Sequence, residues 1–134
     1  MKLSVLQPDE SQAEPVPTPE WFVGRVRMHV RDGGPDQPDI RAVFFDAGAH
    51  TRPHTHSADQ VLHFVSGTGF VVFPGEERQL MPEGSVTIVP AGTLHMHGAT
   101  EEGPVCQLSL LAPGRTDDWD PAVPDEWRQY AQSQ

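Results

Sequence analysis

Between residues 21 and 112 apolar and polar positions trade places with a period near two, and glycine or proline interrupts them every few residues. In WFVGRVRMHV (21–30), Val26, Met28 and Val30 fall on one side and Arg25, Arg27 and His29 on the other. That alternation predicts a strand with one wet face. RDGGPDQPD (31–39) reads as a loop. Short runs rich in β-branched and aromatic residues then recur: IRAVFFDA, QVLHFVSG, GFVVFPGEERQL, GSVTIVP, TLHMHGA and PVCQLSLLA. With a turn signal after each, they predict an all-β sandwich or barrel. FVVFPGEERQL has the form of a hairpin turning at Pro74 to Glu77. PDESQAEPVPTPE (8–20), polar and proline-rich, predicts an arm or edge-wrapping segment without helix. Only PDEWRQYAQ (124–132) predicts a short helix, with Pro124 near its start and Asp125 and Glu126 suited to its positive end. The expected division is an arm over 1–20, a barrel over 21–112 and an extension over 113–134. Trp119, Trp127 and Tyr130 read as cover for the barrel or a subunit contact.

Composition narrows the function. The 134 residues suffice for a single domain with one core. A formal net charge of -10 with no basic stripe argues against binding nucleic acid through its phosphates. The lone Cys106 excludes an internal disulfide and a cysteine-based zinc ribbon, and reads as a small apolar filler in a strand. No run approaches the ~18 apolar residues of a membrane span, and MKLSVLQPDE lacks the apolar core of a signal peptide. The expectation is a soluble cytoplasmic protein that engages neither membrane nor nucleic acid.

The candidate chemistry lies in the histidines. Six of the seven, His50, His54, His56, His63, His95 and His97, fall between residues 50 and 97. On a strand, residues i and i+2 share a face, so His54 and His56 can point together, as can His95 and His97. Two such pairs facing one pocket could supply nitrogen ligands to a first-row divalent metal. A pair of surface histidines on a polar strand is the competing reading. His63 alternates away from Gln60 and reads as outward-facing.

The flanks of these pairs resemble the two motifs of the cupin superfamily. The first is Gly48, five residues, His54-Thr55-His56, three residues, Gln60, six residues, Gly67; the second is Gly84, five residues, Pro90-Ala91-Gly92, two residues, His95. The chain departs from many cupins at Gln60, where glutamate is common, and at Ala99, where asparagine is common. HTHSADQ and HMHGA resemble more narrowly the three-His, one-Gln group of small bacterial cupins. That group includes manganese-dependent hydroxynitrile lyases and quercetinase-like cupins, with Met96 here in place of a tryptophan.

The resemblance implies a double-stranded β-helix, jelly-roll-like, with an N-terminal arm and a short C-terminal helix. It also implies a homodimer and one divalent transition metal (Mn, Fe, Ni, Co, Cu or Zn) on His54, His56, Gln60 and His95. Gln60 as a ligand would bind through its side-chain oxygen; the other reading makes it a hydrogen-bonding neighbour of a metal-bound water. A neutral amide in place of a carboxylate leaves the ion its full +2 charge, which favours anionic partners. The resemblance also implies a pocket role for His97 as a general acid or base, against the alternative of a histidine bridging strands. Arg41, Val43 and Phe45 are implied to line the pocket, with Arg41 an anion clamp or an edge residue at the barrel mouth. Gln107 stands where several relatives carry a pocket histidine, which weighs against hydroxynitrile lyase chemistry. Dioxygenase chemistry and Lewis-acid lyase or isomerase chemistry on a small organic substrate both fit this set, as does a cupin that binds a small molecule without turnover.

Overall fold

The computed structural model describes residues 1–119. The helix expected over 124–132, Trp127 and Tyr130 lie outside the described residues. The strands are β1 (Glu14–Pro15), β2 (Phe22–Val23), β3 (Val26–Val30), β4 (Asp39–Phe45), β5 (His50–Thr51), β6 (His54–His56), β7 (Gln60–Ser66), β8 (Gly69–Val72), β9 (Gln79–Met81), β10 (Val86–Val89), β11 (Met96–Ala99), β12 (Val105–Leu111) and β13 (Asp117–Trp119). They form a six-stranded sheet in the order β1-β3-β4-β12-β7-β10, a five-stranded sheet in the order β2-β5-β11-β8-β9, and a short pair, β13-β6.

Alternation explains the layering. Val26, Met28, Val43, Phe45, Leu62, Phe64, Val89 and Val105 from the larger sheet meet Val71 and Ala99 from the smaller in one buried cluster. On β7 the inward set is Gln60, Leu62 and Phe64, while His63 sits half-buried on the opposite side, as expected. The β8–β9 hairpin forms where FVVFPGEERQL predicts it, with Gly75 at φ 73 in its turn. Gly69 serves differently: a Cβ there would run into the ring of Phe64, so the strand needs its bare backbone to close over the core.

The arm departs from expectation. It contains two single-turn 3-10 helices, Glu10–Gln12 and Pro19–Trp21. Asp9 caps the first by accepting from the Ser11 backbone N–H, and Pro19 opens the second with its fixed φ. Capping and proline thus make local turns where low apolarity rules out a longer helix. β1 adds the arm to the larger sheet beside β3. Leu6 and Ala13 pack on Ala42, Phe44 and Cys106, so β4 is buried on both faces. Cys106 is the filler its sequence context predicts, and burial pushes its thiol up to about 11.

Among the described residues no helix is long and apolar enough to cross a membrane.

Candidate metal centre

His54 and His95 form an isolated antiparallel bridge and exchange both backbone hydrogen bonds, at 3.0 and 3.1 Å. This bridge joins the two histidine pairs across some forty intervening residues. Two further contacts lock the surrounding loops. Asp59 accepts from the Ala91 N–H at 2.8 Å, and the Gly92 N–H donates to the His56 carbonyl at 2.8 Å. The residues between His56 and Gln60 in HTHSADQ therefore hold the second motif in register with the first.

Four imidazoles gather as a result. Ring centroids lie 4.3 Å apart for His54 and His95, 4.9 Å for His54 and His56, 5.3 Å for His54 and His97, and 5.7 Å for His56 and His95. Ligand-capable atoms of His54, His95 and His97 come within 4.8 Å of one another, so these three buried histidines can share one ion. The rings of His95 and His97 are stacked, 17° from parallel.

Hydrogen bonding separates the four. Nδ1 of His54 lies 2.8 Å from the Arg52 carbonyl, Nδ1 of His56 lies 2.8 Å from Asp117 Oδ1, and Nδ1 of His95 lies 2.9 Å from the Thr93 carbonyl. A neutral imidazole has one N–H. Donating it from Nδ1 leaves Nε2 of each ring as a lone pair, the tautomer that an outer carboxylate or carbonyl imposes on metal-ligating histidines. His56 Nε2 is buried with no hydrogen-bond partner. His97 differs, because its Nδ1 is buried without a partner.

Gln60 stands beside His95. Its Nε2 donates to Ser109 Oγ at 3.0 Å, and its Oε1 lies 3.0 Å from His95 Nε2. With the His95 proton on Nδ1, two lone pairs face each other there. Such a contact is unfavourable in the absence of a cation, yet about 3.0 Å is the spacing of two ligands at right angles on an ion bound at ~2.1 Å. Turned over, the amide would donate to His95 and accept from Ser109; the observed setting aims its oxygen at the imidazoles. The donor atoms therefore fit a divalent ion.

Burial lowers the basicity of the whole cluster. It is the largest cause of the fall for His54 and His97, both held well below the usual histidine range, with the neighbouring imidazoles adding to it. Burial also lowers His56, against the opposing pull of Asp117, and brings His95 down to about 4. Neutral rings are the ones that can coordinate. The sign for stability follows. Unfolded histidine takes up a proton near 6.5 while His95 resists it to about 4, so the unfolded chain binds more protons in that interval. The metal-free protein is expected to lose stability as pH falls from about 6.5 towards 4. Thermal midpoints measured at pH 7.5 and pH 5 check this; equal midpoints would contradict it.

A cavity of about 200 Å³ opens onto the cluster. Its apolar wall includes Trp21, Phe22, Met28, Val43 and Leu111, and its polar wall includes Arg41, Ser109, Arg115 and Asp117. Arg41 and Val43 line this cavity. Phe45 and Gln107 do not: both are fully buried and lie outside the cavity wall. Their parity was right and their depth was not. Along β4 and β12 the inward positions are 41, 43, 45 and 105, 107, 109, 111, and the cavity reaches only the 41–43 and 109–111 ends. Phe45 instead meets the His97 ring edge-on at 6.0 Å between centroids, and the Gln107 side chain favours the charged form of His97.

Asp117 and Ser109 escaped sequence reasoning. Asp117 stands 61 positions from His56, on a strand formed only by pairing with β6, and no spacing marks it. Ser109 was within reach, since it shares a face with Gln107 two positions away.

The family model for the cupin domain matches residues 42–111, just over half of the 134 residues. The chain belongs to the cupin superfamily. Solved structures agree on this cupin's fold. A cupin-like protein from Thermotoga maritima is 24% identical with a TM-score of 0.71, covering 84% of this chain and 90% of its own. The polyketide cyclase RemF from Streptomyces resistomycificus is 15% identical with a TM-score of 0.78, covering 98% and 94%. The DMSP lyase DddQ from Ruegeria pomeroyi is 20% identical with a TM-score of 0.62, covering 75% and 54%. No curated protein matches the sequence.

Proposed function

We propose that this cupin is a metal-dependent enzyme with lyase or isomerase chemistry, acting on a small organic molecule in the cavity. The observation that carries the reading is the anchoring of three imidazoles through Nδ1, which turns Nε2 of His54, His56 and His95 into lone pairs beside Gln60 Oε1. These four residues would hold the ion. His97, whose ring has only the neutral Gln107 amide beside it and no close carbonyl or carboxylate on Nδ1, is left for proton transfer. A bound divalent ion would supply Lewis acidity at a substrate oxygen, undiminished because all four ligands are neutral.

The chain's own residues supply the rest. His97, neutral through burial and stacked on His95, offers a base that can take a proton from substrate carbon and return it to another atom. Trp21, Phe22, Met28 and Leu111 give the space beside that exchange an apolar wall. Fold neighbours named as a cyclase and a lyase support this chemistry over oxygenation. The test is deuterium uptake from D₂O into small enolisable carbonyl compounds by the metal-loaded protein. Uptake that disappears with metal removal is the expected result. Oxygen consumption with a chelating phenol, and no deuterium uptake, would transfer the site to dioxygenase chemistry; neither activity would leave a binding protein.

Asp117 enters this scheme by holding His56. Asp117→Ala is expected to weaken metal affinity by about 10–100-fold, the usual cost of losing an outer hydrogen-bond partner. Competition with a chromophoric chelator measures it, and unchanged affinity would remove Asp117 from the site.

A further inference from the structure

Two guanidinium groups stand on the cavity wall of an acidic protein, and one carboxylate oxygen holds both. Asp39 receives Arg41 as a two-point pair, Nε to Oδ1 at 3.1 Å and a terminal nitrogen to Oδ2. A terminal nitrogen of Arg115 donates to the same Oδ2 at 2.8 Å. Arg115 Nε donates to Asp117 Oδ1 at 3.1 Å. Side-chain exposures of 28% for Arg41, 15% for Arg115 and 16% for Asp39 place the group mostly out of bulk water.

A guanidinium has five donors in a planar fork. Arg41 uses two on Asp39, and its other terminal nitrogen meets only the Met28 thioether, at 3.3 Å, a weak acceptor. Donors on the cavity wall are thus left over. Ser109 lies directly opposite Arg41 in the β12–β4 register. Its oxygen accepts from Gln60, which leaves its hydroxyl proton free to donate into the same space. Asp39 is not part of the wall. Among the lining residues the formal charges are Arg41, Arg115 and Asp117, a net positive lining in a chain of net charge -10.

We propose that Arg41, Arg115 and Ser109 form a carboxylate subsite, and that the substrate is a small carboxylate with an apolar body. Planar donors held in place by Asp39 suit a planar anion with two oxygens. Trp21, Phe22, Met28, Val43 and Leu111 receive the apolar body. The cavity of about 200 Å³ is below the ~300–1,000 Å³ of sites for drug-sized ligands. The inference deepens the proposed function and rests on the same cavity being the substrate site.

Benzoate and its neutral isostere benzamide are the probes, titrated by calorimetry into metal-loaded and metal-stripped protein. Wild type should bind benzoate at least about 10-fold more tightly than benzamide in both states, since hydrogen bonds to charged groups outweigh neutral ones. Arg41→Gln should erase most of that preference with benzamide affinity and metal content unchanged. Arg41→Lys, which keeps the charge without the fork, should fall between and guards against a misfolded glutamine variant. Equal binding of the two probes, or a loss in Arg41→Gln shared by both, would overturn the subsite. Preference present only with metal, and indifferent to Arg41→Gln, would also overturn it while leaving the metal reading intact. Preference that persists in a protein unable to bind metal would do the reverse.

Discussion

His97→Ala is expected to lower turnover by about 10²–10⁴-fold, the range for losing a general acid or base, with the metal content unchanged. His97 is the imidazole whose position alone does not declare its role. Its ligand-capable atom lies as close to His54 and His95 as an ion would require. The difference lies behind the ring: His54, His56 and His95 each give their Nδ1 proton to an oxygen at 2.8–2.9 Å, whereas His97 Nδ1 makes no hydrogen bond of ordinary geometry, with only the Gln107 amide near enough to interact with the ring, and the backbone N–H of His97 donates to Thr51 Oγ1. A ligand without an outer anchor is poorly oriented. A base, by contrast, needs a nitrogen uncommitted to other contacts. The pair of readouts separates the roles, because a structural histidine would leave turnover per folded, metal-loaded molecule unchanged, and a ligand would take the metal with it.

Gln60→Glu is expected to tighten the hold on a divalent ion by about 100-fold and to cut turnover by about 10-fold or more. A carboxylate at this position adds an attraction to a dication of roughly 8 kcal/mol if the charges interact at about 4 Å with an effective dielectric constant near 20. Burying the carboxylate takes back part of that gain. Ser109 can turn its hydroxyl to donate to the second oxygen, so the hydrogen bond that now orients the amide survives the exchange. The ion is then left with about +1, a weaker electrophile than the dication that a neutral donor set preserves. Chelator competition and steady-state kinetics on the two proteins measure both effects. Equal affinities would place Gln60 outside the coordination sphere, with its oxygen serving only as a neighbour of His95.

The strand pattern and the pairing of the histidines were legible because period-two alternation acts within a few residues. Val26 and Met28, the 60-62-64 face of β7 and the β8–β9 hairpin all follow from it. Depth was not legible. Alternation says that Gln107 and Ser109 face the same way, but the tertiary packing decides that Ser109 meets the cavity while Gln107 is fully buried outside its wall. Asp117 was hidden for a related reason: β13 exists only through pairing with β6, and Ser57 secures it by taking the Thr116 N–H on its hydroxyl at 2.8 Å. The polar, proline-rich arm is legible as a segment that wraps the sheet edge, which β1 does beside β3, but its low apolarity does not mark Leu6 and Ala13 as the cover of Phe44. The charge and parity of Arg41 are legible, and they fit an anion clamp and an edge residue at the barrel mouth equally. That Asp39 would hold it beside Arg115 depended on residue 115, beyond the part of the chain whose pattern was readable.

The central claim is a metal held by His54, His56, Gln60 and His95, and His56 is the ligand that distinguishes it from a His54, His95 and His97 triad. Elemental analysis of wild type and His56→Ala, both purified without added metal, tests this most directly. The expected result is one divalent first-row ion per wild-type chain and a substoichiometric trace in His56→Ala. Wild type without stoichiometric metal, or His56→Ala retaining a full complement, would contradict it.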